Sequence, residues 1–415
     1  MEEFDLIIAG GGSIGVSLAL SLGTVSEFKI AIVEAQDISK SGHGTSLHPG
    51  FDARVVALAK HSADLLAGFG LNKLAHIATA IKHIHVSDQG HLGQCHLHSD
   101  DYQLPALGYV VALQQLGEII HQALAKSANL SWFCPDQVEA LVQQEDHIQL
   151  SLSSGTQIRG KLLVVAEGGN SPTRELLNIA TDLEPYGQMA IIANVVTEQA
   201  HNNWAYERFT EQGPLALLPL SAAQPFNHEG AGYCSLVWTV DGQRQPALMQ
   251  MSEHDFLRQL QDAFGYRLGR LIKLGERSCY PLQLIKSRSS ISHRAVVIGN
   301  AAQSLHPIAG QGLNLGLRDV EALHHCLRQA VNDGTDIGQY PVLRKYQRLR
   351  EQDQRHTIGL TDTLVRIFSN DYWPLVIGRN LGLLAMSASP LLKAKLARQA
   401  MGLGQQIKPH TLERH

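Results

Sequence analysis

The chain has 415 residues, of which 44% are hydrophobic, so it is long enough for two or three domains and can bury a sizeable core. Its 34 Lys and Arg residues against 38 Asp and Glu residues give a formal net charge of −4, which argues against general nucleic-acid binding. Charged residues make up only 17% of the chain, so we expect part of the surface to be more apolar than usual.

The amino terminus and the cysteines bear on where the protein works. The first residues, MEEFDLIIAGGG, contain no basic segment followed by a long apolar run, so we expect no secretory signal. No window holds about 18 consecutive apolar residues, so we expect no transmembrane helix. The five cysteines are odd in number and form no CxxC pair, which is typical of reduced thiols in a cytosolic protein.

The amino-terminal segment predicts the beginning of a parallel α/β sheet. Residues 4–10 form a short apolar run that ends in glycines, as a buried strand does. Residues 13–22 have the helical spacing of small and apolar side chains, and residues 28–35 (FKIAIVEA) are a second buried strand. A strand, a glycine turn, a helix and a second strand in this order form the opening unit of such a sheet.

Farther along the chain, helix-rich α/β segments flank a β-rich middle. Helical patterns cover 53–70, 113–126 and most of the chain after Asn314, and strand patterns cover 81–111, 138–144, 147–153, 157–165, 188–280 and 296–299. We therefore expect a discontinuous α/β domain of residues 1–75, 109–182 and 286–360. A β-rich substrate domain of 76–108 and 183–285 and a C-terminal helical segment of 361–415 complete the expected organisation.

The sequence GGGSIG supplies Gly10, Gly12 and Gly15 in the spacing G-x-G-x-x-G, directly after the first strand. Gly10 permits a tight turn, Gly12 lets a pyrophosphate approach the backbone, and Gly15 lets the helix lie close to the sheet. Glu34 ends the second strand 19 residues after Gly15, where a carboxylate accepts hydrogen bonds from a ribose. This context predicts dinucleotide binding and leaves NAD and FAD as alternatives.

A second glycine-rich segment, residues 295–317, contains no Asp, Glu, Lys or Arg. Asn300 follows a buried strand, at the end where ligands bind in open α/β sheets. Pro307 sets a rigid turn, and Gly310 and Gly312 open the following helix, so that bare backbone can lie against a planar ring. The absence of charge therefore indicates a segment that packs around a cofactor, not one that spans lipid.

Three motifs resemble those of the group A flavoprotein monooxygenases, the para-hydroxybenzoate hydroxylase type. They are GGGSIG with Glu34, EGGNSPTR at 167–174 and GNAAQSLHPIAGQGLN at 299–314. Glu167 and Asn300 each stand where the family usually has Asp, and an Asn can still hydrogen-bond a hydroxyl of the ribityl chain. The resemblance implies a Rossmann-like FAD-binding domain with an inserted β-sheet substrate domain and a C-terminal helical region.

Longer segments resemble the ubiquinone-biosynthesis hydroxylases within this group. They are FDARVVAL (51–58), ERFTEQGPLALLPL (207–220), SLVWT (235–239) and HPIAGQGLNLGLRDV (306–320). HIHVSDQGHLG (83–93) and the Asn of GNAAQ look most like the members that hydroxylate 2-octaprenyl-6-methoxyphenol. The resemblance extends from residue 4 to about 385. It implies hydroxylation of a polyprenylated phenol, with 2-polyprenyl-6-methoxyphenol as the expected substrate.

The resemblance also implies cofactors, partners and a location. NADPH or NADH reduces FAD, the reduced flavin reacts with O₂, and no metal is needed. The scattered cysteines and the amino terminus predict a cytoplasmic protein, and the resemblance adds peripheral contact with the inner face of the membrane, or a place in a ubiquinone-synthesis multiprotein complex, as an expectation.

The glycine fingerprint and the resemblance together assign one set of residues to FAD and another to the substrate. The FAD set is Gly10, Gly12, Ser13, Ile14, Gly15, Glu34, Arg54, Val138, Asn300, Pro307, Gly310, Gln311, Gly312, Leu313 and Asn314. The strands LALLPL and SLVWT are expected to line the substrate pocket through Leu217, Pro219 and Trp238, although core packing is the alternative for Trp238.

Several roles stay open at the level of the sequence. His306 either takes part in catalysis near the flavin or only shapes the turn before Pro307. Arg174 either anchors the second motif, meets NADPH or forms a structural ion pair. The apolar tail, residues 360–403, either forms a tunnel for a polyprenyl chain, touches a membrane or a partner, or covers the sheet as a helical layer.

The histidines between residues 83 and 98 alternate along two expected strands, which favours a polar strand face over a metal site. Two other functions also stay open. One is a flavin reductase of the same fold that acts on polyprenyl lipids, and the other is a non-catalytic lipid-binding or assembly subunit.

Overall fold

The computed structural model describes residues 1–23, 28–37, 54–125, 127–221, 230–304, 311–368, 380, 382 and 387–403. Its strands are β1 (Glu2–Ala9), β2 (Ile30–Val33), β3 (Val55–Ala59), β4 (Thr79–Ile81), β5 (His83–Asp88), β6 (Gln94–His98), β7 (Gly108–Ala112), β8 (Leu130–Phe133), β9 (Val138–Gln143), β10 (Ile148–Leu152), β11 (Gln157–Val165), β12 (Thr181–Thr197), β13 (Trp204–Thr210), β14 (Gly213–Leu220), β15 (Gly232–Asp241), β16 (Leu271–Leu274), β17 (Ser278–Ser287), β18 (Ile291–Ser292), β19 (Ala295–Val297) and β20 (Gln303–Ser304). Its helices are α1 (Ser13–Gly23), α2 (Lys60–Gly68), α3 (Leu74–Ile77), α4 (Leu113–Leu124), α5 (Pro172–Leu176), α6 (Gln245–Gln250), α7 (Glu253–Phe264), α8 (Gln311–Asn332), α9 (Tyr340–Phe368) and α10 (Pro390–Ala400).

The first sheet has eight strands in the order β18-β19-β11-β1-β2-β8, with β10 and β9 attached beside β11. β1 runs parallel to β11 and β2, and β19 and β8 continue the parallel arrangement on either side. Leu6, Ile7 and Ile8 of β1 are fully buried, because both faces of a parallel sheet are covered. The predicted strand, helix, strand unit and the α/β fold class are confirmed.

The second sheet has nine strands in the order β20-β17-β12-β15-β14-β13-β5-β6, with β16 beside β12. β12 and β17 pair antiparallel from Thr181 opposite Ser287 to Ile192 opposite Ser278. β12 follows β11 of the first sheet, and β17 is followed by β18 and β19 of the same sheet. The β-rich middle of the chain is therefore an insertion. β5 and β6 reach the far edge of this sheet because β5 pairs in parallel with β13.

A third, small sheet has the order β3-β7-β4, and its strands β4 and β7 contact β14 of the second sheet. The prediction of one continuous helix over 53–70 is wrong before Lys60, because the residues of β3 pair antiparallel with β7. The Asn314 side chain also joins α8 to β3, since its Oδ1 accepts from the Ala59 N–H and its Nδ2 donates to the Ala57 carbonyl, both at 2.8 Å. Tertiary pairing thus overrides the local helical pattern.

Two long helices follow the second glycine-rich segment. α9 continues across residue 360, because no proline interrupts it after Pro341. The predicted boundary between the FAD-binding domain and the C-terminal segment therefore falls inside a helix. Among the helices that the structure describes, none is long and apolar enough to cross a membrane.

Buried charges connect α8, α9 and the turn that follows β19. The carboxylate of Asp319, which has no exposed surface, accepts from Arg350 Nε at 2.6 Å and from the Gly299 N–H at 2.9 Å. Asp353 accepts from both Arg350 and Arg318. These bonds hold the start of the second glycine-rich segment against the helices behind it.

Replacing Asp319 with Ala leaves the Arg350 guanidinium and the Gly299 N–H without this acceptor. We expect the free energy of unfolding to fall by about 3–5 kcal/mol, measured by urea unfolding followed by circular dichroism. The exposed Asp64, which pairs with Lys60 one helical turn away, provides the control; Asp64→Ala is expected to cost less than about 1 kcal/mol. Equal losses in the two variants would contradict the role given to the buried network.

Candidate active site

A cleft of about 790 Å³ lies between the first sheet and the second, and all three glycine-rich motifs line it. The volume is in the upper part of the range of ligand pockets in proteins. The motifs follow the carboxyl ends of β1, β11 and β19, which are neighbours in the sheet. This is the edge at which ligands bind in open parallel sheets.

The first motif is a tight turn without room for side chains. Gly10 has φ of +112°, and a Cβ on it would lie 2.6 Å from the carbonyl oxygen of Ala166. A Cβ on Gly15 would lie 1.9 Å from the carbonyl oxygen of Gly10, so α1 approaches the strand only because Gly15 has no side chain. Gly12, Ser13 and Ile14 then line the cleft at the amino-terminal end of α1.

Glu34 lines the cleft at the end of β2 and is 5% exposed. Its Oε2 accepts from the Gly11 N–H at 2.7 Å, and its Oε1 accepts from the Gln36 N–H at 2.8 Å. Each carboxylate oxygen has a second lone pair, so a ribose hydroxyl can still donate to it. Glu34 therefore fixes the first motif and remains able to bind the sugar.

The second motif is organised around Glu167, which also lines the cleft. Its carboxylate accepts from the hydroxyls of Ser171 and Thr173, and from the Thr173 N–H at 3.1 Å. It thereby caps the start of α5, a role that acidic side chains perform at helix amino termini. The Glu that replaces the usual family Asp is thus bonded within its own motif.

Arg174 ties the second motif to the third. Its side chain is buried, and one terminal nitrogen donates to the carbonyl oxygens of Gly169 and Ala301, both at 2.9 Å. Of the alternatives that the sequence left open, the structure places Arg174 as an anchor between two motifs. The other side of the guanidinium faces protein, so the contacts are internal.

The third motif meets the first across the side chain of Ile14. A Cβ on Gly299 would lie 3.1 Å from Ile14 Cγ1, and a Cβ on Gly316 would lie 2.5 Å from Ile14 Cδ1. Asn300, Gly312, Leu313 and Asn314 line the cleft from this side. His306, Pro307 and Gly310 lie outside the described residues, and Gln311 is described only as the first residue of α8.

Arg54 and Val138 line the cleft at different positions. The Arg54 guanidinium carbon lies 5.2 Å from the centroid of the Tyr280 ring, a cation–π distance. Val138 is buried next to Asp136, a cleft residue that the sequence reasoning missed. Burial alone would raise the pKa of Asp136, but hydrogen bonds from Ser154 and its neighbour Ser153 lower it.

The residues that the sequence predicts for the substrate pocket lie on the face of the second sheet away from the cleft, which for Trp238 is the core packing that the sequence left open. Leu217 and Trp238 lie in the core cluster under α7, where the Trp238 and Phe256 rings are 5.7 Å apart. Pro219 follows Leu217 by two residues and therefore shares its face. The cleft is instead lined by the alternate residues Ala216, Leu218 and Val237. β14 is apolar on both faces and carries no alternation, but in β15 Ser235 and Thr239 share the face of Val237, a polar signal that the sequence reasoning did not use.

The histidines of β5 and β6 form two cross-strand pairs at the edge of the second sheet. His83 Nδ1 and His98 Nδ1 are 3.0 Å apart, and His85 Nδ1 lies 2.6 Å from His96 Nε2. Burial and then the charge of Arg267 lower the pKa of His85 to about 3, so this side chain is neutral. Within the described part of the chain, no group of three or more His, Cys, Asp or Glu is arranged to hold a metal.

The fold and the cleft define a dinucleotide-binding α/β flavoprotein, and similarity to known proteins agrees. The family described as "FAD binding domain" matches residues 3–352. The chain is 34% identical to the ubiquinone hydroxylase UbiL of Rhodospirillum rubrum, over 96% of this chain and 89% of that one. It is 30% identical to the 3-demethoxyubiquinol 3-hydroxylase of Escherichia coli, over 97% and 99% of the two chains.

The solved structure of p-nitrophenol 4-monooxygenase PnpA from Pseudomonas putida superposes with a TM-score of 0.77. It covers 98% of this chain and 100% of that one at 18% identity, so it bears on the fold alone. The chain belongs to the family of FAD-dependent hydroxylases of ubiquinone biosynthesis, and it is an FAD-dependent monooxygenase.

Gly12 lines the cleft at the first turn of α1, where the pyrophosphate of FAD would approach the backbone. We expect Gly12→Val to place a branched side chain there and to abolish bound flavin, measured by the visible flavin absorbance of the purified protein. Gly68→Val is the control, because a Cβ on Gly68 meets nothing within 4 Å. Flavin retention by Gly12→Val would contradict this placement of the pyrophosphate.

Proposed function

We propose that the protein hydroxylates the aromatic ring of a polyprenylated phenol in ubiquinone biosynthesis, with 2-polyprenyl-6-methoxyphenol as substrate and NADPH or NADH as electron donor. The observation that carries the proposal is the continuity of the cleft from the three glycine motifs to an apolar wall of the second sheet. One end suits a dinucleotide and the other suits an apolar ring. One relative named above is a ubiquinone hydroxylase and the other a 3-demethoxyubiquinol 3-hydroxylase, which supports the substrate class.

FAD fits the residues that are present. The Gly10 turn and the short distance between Gly15 and β1 form a cradle that a Cβ would fill, and Glu34 is placed to accept from the ribose. Bound FAD supplies the redox chemistry, since it carries electrons from the nicotinamide to O₂ and delivers one oxygen atom to the ring. The chain itself binds and orients both molecules and excludes water around them.

The wall that would face the ring consists of small and branched apolar side chains. They are Ala190, Ile192, Ala205, Ala216, Leu218 and Val237. Such a wall excludes water and leaves room for an aromatic ring, which suits a reaction in which a reactive oxygen species must be kept from solvent.

The cleft also has an apolar side that could hold an isoprenoid chain. Ile81, Ile84 and Leu107 line it together with Ala400, the last residue of α10. A chain of isoprene units would bury apolar surface along these side chains. The helix α10 therefore takes part in the cleft, which favours the tunnel among the readings of the C-terminal tail.

Peripheral contact with a membrane or with a multiprotein complex is part of the proposal. On α10, Leu391 is 84% exposed and Leu392 is 46% exposed. The helix carries Lys393, Lys395 and Arg398 and no acidic residue. Exposed leucines beside basic side chains suit an anionic lipid surface.

The direct test uses the purified flavoprotein with NADPH, ¹⁸O₂ and 2-geranyl-6-methoxyphenol as a short-chain probe. We expect a product with one added ¹⁸O atom, detected by mass spectrometry. In the producing organism, deletion is expected to cause accumulation of the quinone precursor that lacks this hydroxyl. NADPH oxidation that depends on the probe but consumes no oxygen would favour a reductase instead. In the deletion strain, accumulation of a precursor that lacks a different hydroxyl would correct the predicted ring position.

Val237 tests which face of the second sheet holds the ring. Val237→Phe is expected to fill the cleft and to lower kcat/KM for the probe by about 10²-fold, because small displacements of a bound ring are costly. Bound FAD should be retained. Val142→Phe makes the same change on β9 at a side chain that is 50% exposed, and it should leave kcat/KM unchanged. Normal turnover by Val237→Phe would place the ring elsewhere.

A further inference from the structure

One carboxyl group interrupts the apolar wall of the second sheet. Glu207 lies in the middle of β13 and pairs with Ala216 of β14, which in turn pairs with Val237 of β15. Val237 pairs with Ile192 of β12, so the four side chains form one row across the sheet. All four residues line the cleft.

Strand alternation fixes the direction of the Glu207 side chain. Tyr206, the preceding residue, belongs to the core cluster under α7, on the opposite face of the sheet. Successive side chains of a strand point to opposite faces, so Glu207 points into the cleft. The Glu207 side chain keeps partial exposure, and the cleft is the space that it faces.

Glu207 differs from the other carboxylates that line the cleft. Glu34, Asp136 and Glu167 each accept at least two hydrogen bonds from other residues of the protein. In the described part of the chain, the Glu207 carboxyl has no hydrogen-bond or ion-pair partner. Removing a carboxylate from water without giving it hydrogen bonds is unfavourable. A carboxylate without a protein partner on the wall of a cleft therefore indicates that a group of the ligand pairs with it.

The surroundings of Glu207 also set its protonation. Burial raises the pKa of this carboxyl to about 7, and no charged group in the described residues contributes to the shift. The positively charged side chain that lines the cleft, Arg54, lies over Tyr280. Glu207 is therefore poised to gain or lose a proton near neutral pH, as a general base requires.

We propose that Glu207 is a catalytic residue that binds the phenolic hydroxyl of the substrate ring and takes its proton during hydroxylation; this inference rests on the proposed function. The O–H bond of the phenol breaks, and an O–H bond to a Glu207 carboxylate oxygen forms. The negative charge passes from the carboxylate to the phenolic oxygen, and no electrons are exchanged in this step. The phenolate is more electron-rich than the phenol, so its ring reacts faster with an electrophilic oxygen. The ring becomes aromatic again when the hydroxylated carbon loses its hydrogen to water as a proton; the C–H electron pair returns to the ring, and Glu207 returns its proton to the phenolic oxygen.

The first experiment measures binding and needs no turnover. It compares 2-geranyl-6-methoxyphenol with its O-methyl ether, which lacks the phenolic proton, by the change in absorbance of oxidised flavin. Wild-type protein is expected to bind the phenol about tenfold more tightly than the ether, as a hydrogen bond to a charged group does. Glu207→Gln should reduce this preference to less than about twofold. Glu211→Gln, the same change at the exposed turn of the same hairpin, should keep the full preference.

The second experiment measures turnover against pH. Glu207→Gln is expected to keep bound FAD and to lower the rate of product formation by about 10²-fold or more, the usual effect of removing a general base. In wild-type protein the rate should fall as the pH decreases below about 7, because the protonated carboxyl cannot accept a proton. This acidic limb should be absent in Glu207→Gln and present in Glu211→Gln.

The outcomes separate this inference from the proposed function. A Glu207→Gln variant that retains both the preference for the phenol and the wild-type rate overturns the inference and leaves the proposed function intact. If wild-type protein prefers the phenol, Glu207→Gln loses this preference, and wild-type protein still forms no hydroxylated product, the proposed reaction is overturned and the binding role of Glu207 is supported. Wild-type protein that binds neither probe overturns both.

Discussion

The cleft exists because two glycine-rich turns, far apart in the chain, close on the side chain of Ile14. A Cβ on Gly316 would lie 2.5 Å from Ile14 Cδ1, and Gly299 has a φ of +61°, so two glycines allow α8 and the turn before it to approach α1 closely. This contact brings the carboxyl ends of β1 and β19 and the first turns of α1 and α8 to one place. A dinucleotide in the proposed position would meet backbone N–H groups and helix amino termini from both sides of the cleft.

Side chains that look available for a ligand are mostly used to build this arrangement. Glu34 and Glu167 accept hydrogen bonds from the backbone of their own motifs, and Arg174 joins the second motif to the third. Asn314 holds α8 to β3, and Asp319 holds the turn at Gly299. The site is therefore preorganised by internal bonds, which lowers the entropy that cofactor binding has to offset. The Glu at position 167 fits this pattern, because its carboxylate is bonded to the residues that begin α5.

The second sheet gives the cleft its chemical asymmetry. One face packs under α7 with Trp238 and Leu217, and the other presents small apolar side chains to the cleft. A carboxyl group on such a wall has unusual properties, since burial raises its pKa and nothing in the described residues neutralises it. The raised pKa of Glu207 thus follows from the face of the sheet on which its side chain lies. A one-residue shift in strand register would have placed the side chain under α7.

The sequence by itself determined the parallel α/β unit, the three motifs and the family, because glycine spacing, strand ends and helical periodicity are local properties. It also placed Gly10, Gly12, Ile14 and Glu34 at the cleft. Only the tertiary structure decided that β3 is a strand, that Arg174 joins two motifs, and that Val237 and not Trp238 lines the cleft. The physical reason is that these outcomes depend on strand register and on the partner that covers each face. β14 is apolar on both sides and carries no alternation from which a face can be read, whereas Ser235 and Thr239 mark the face of β15 that holds Val237.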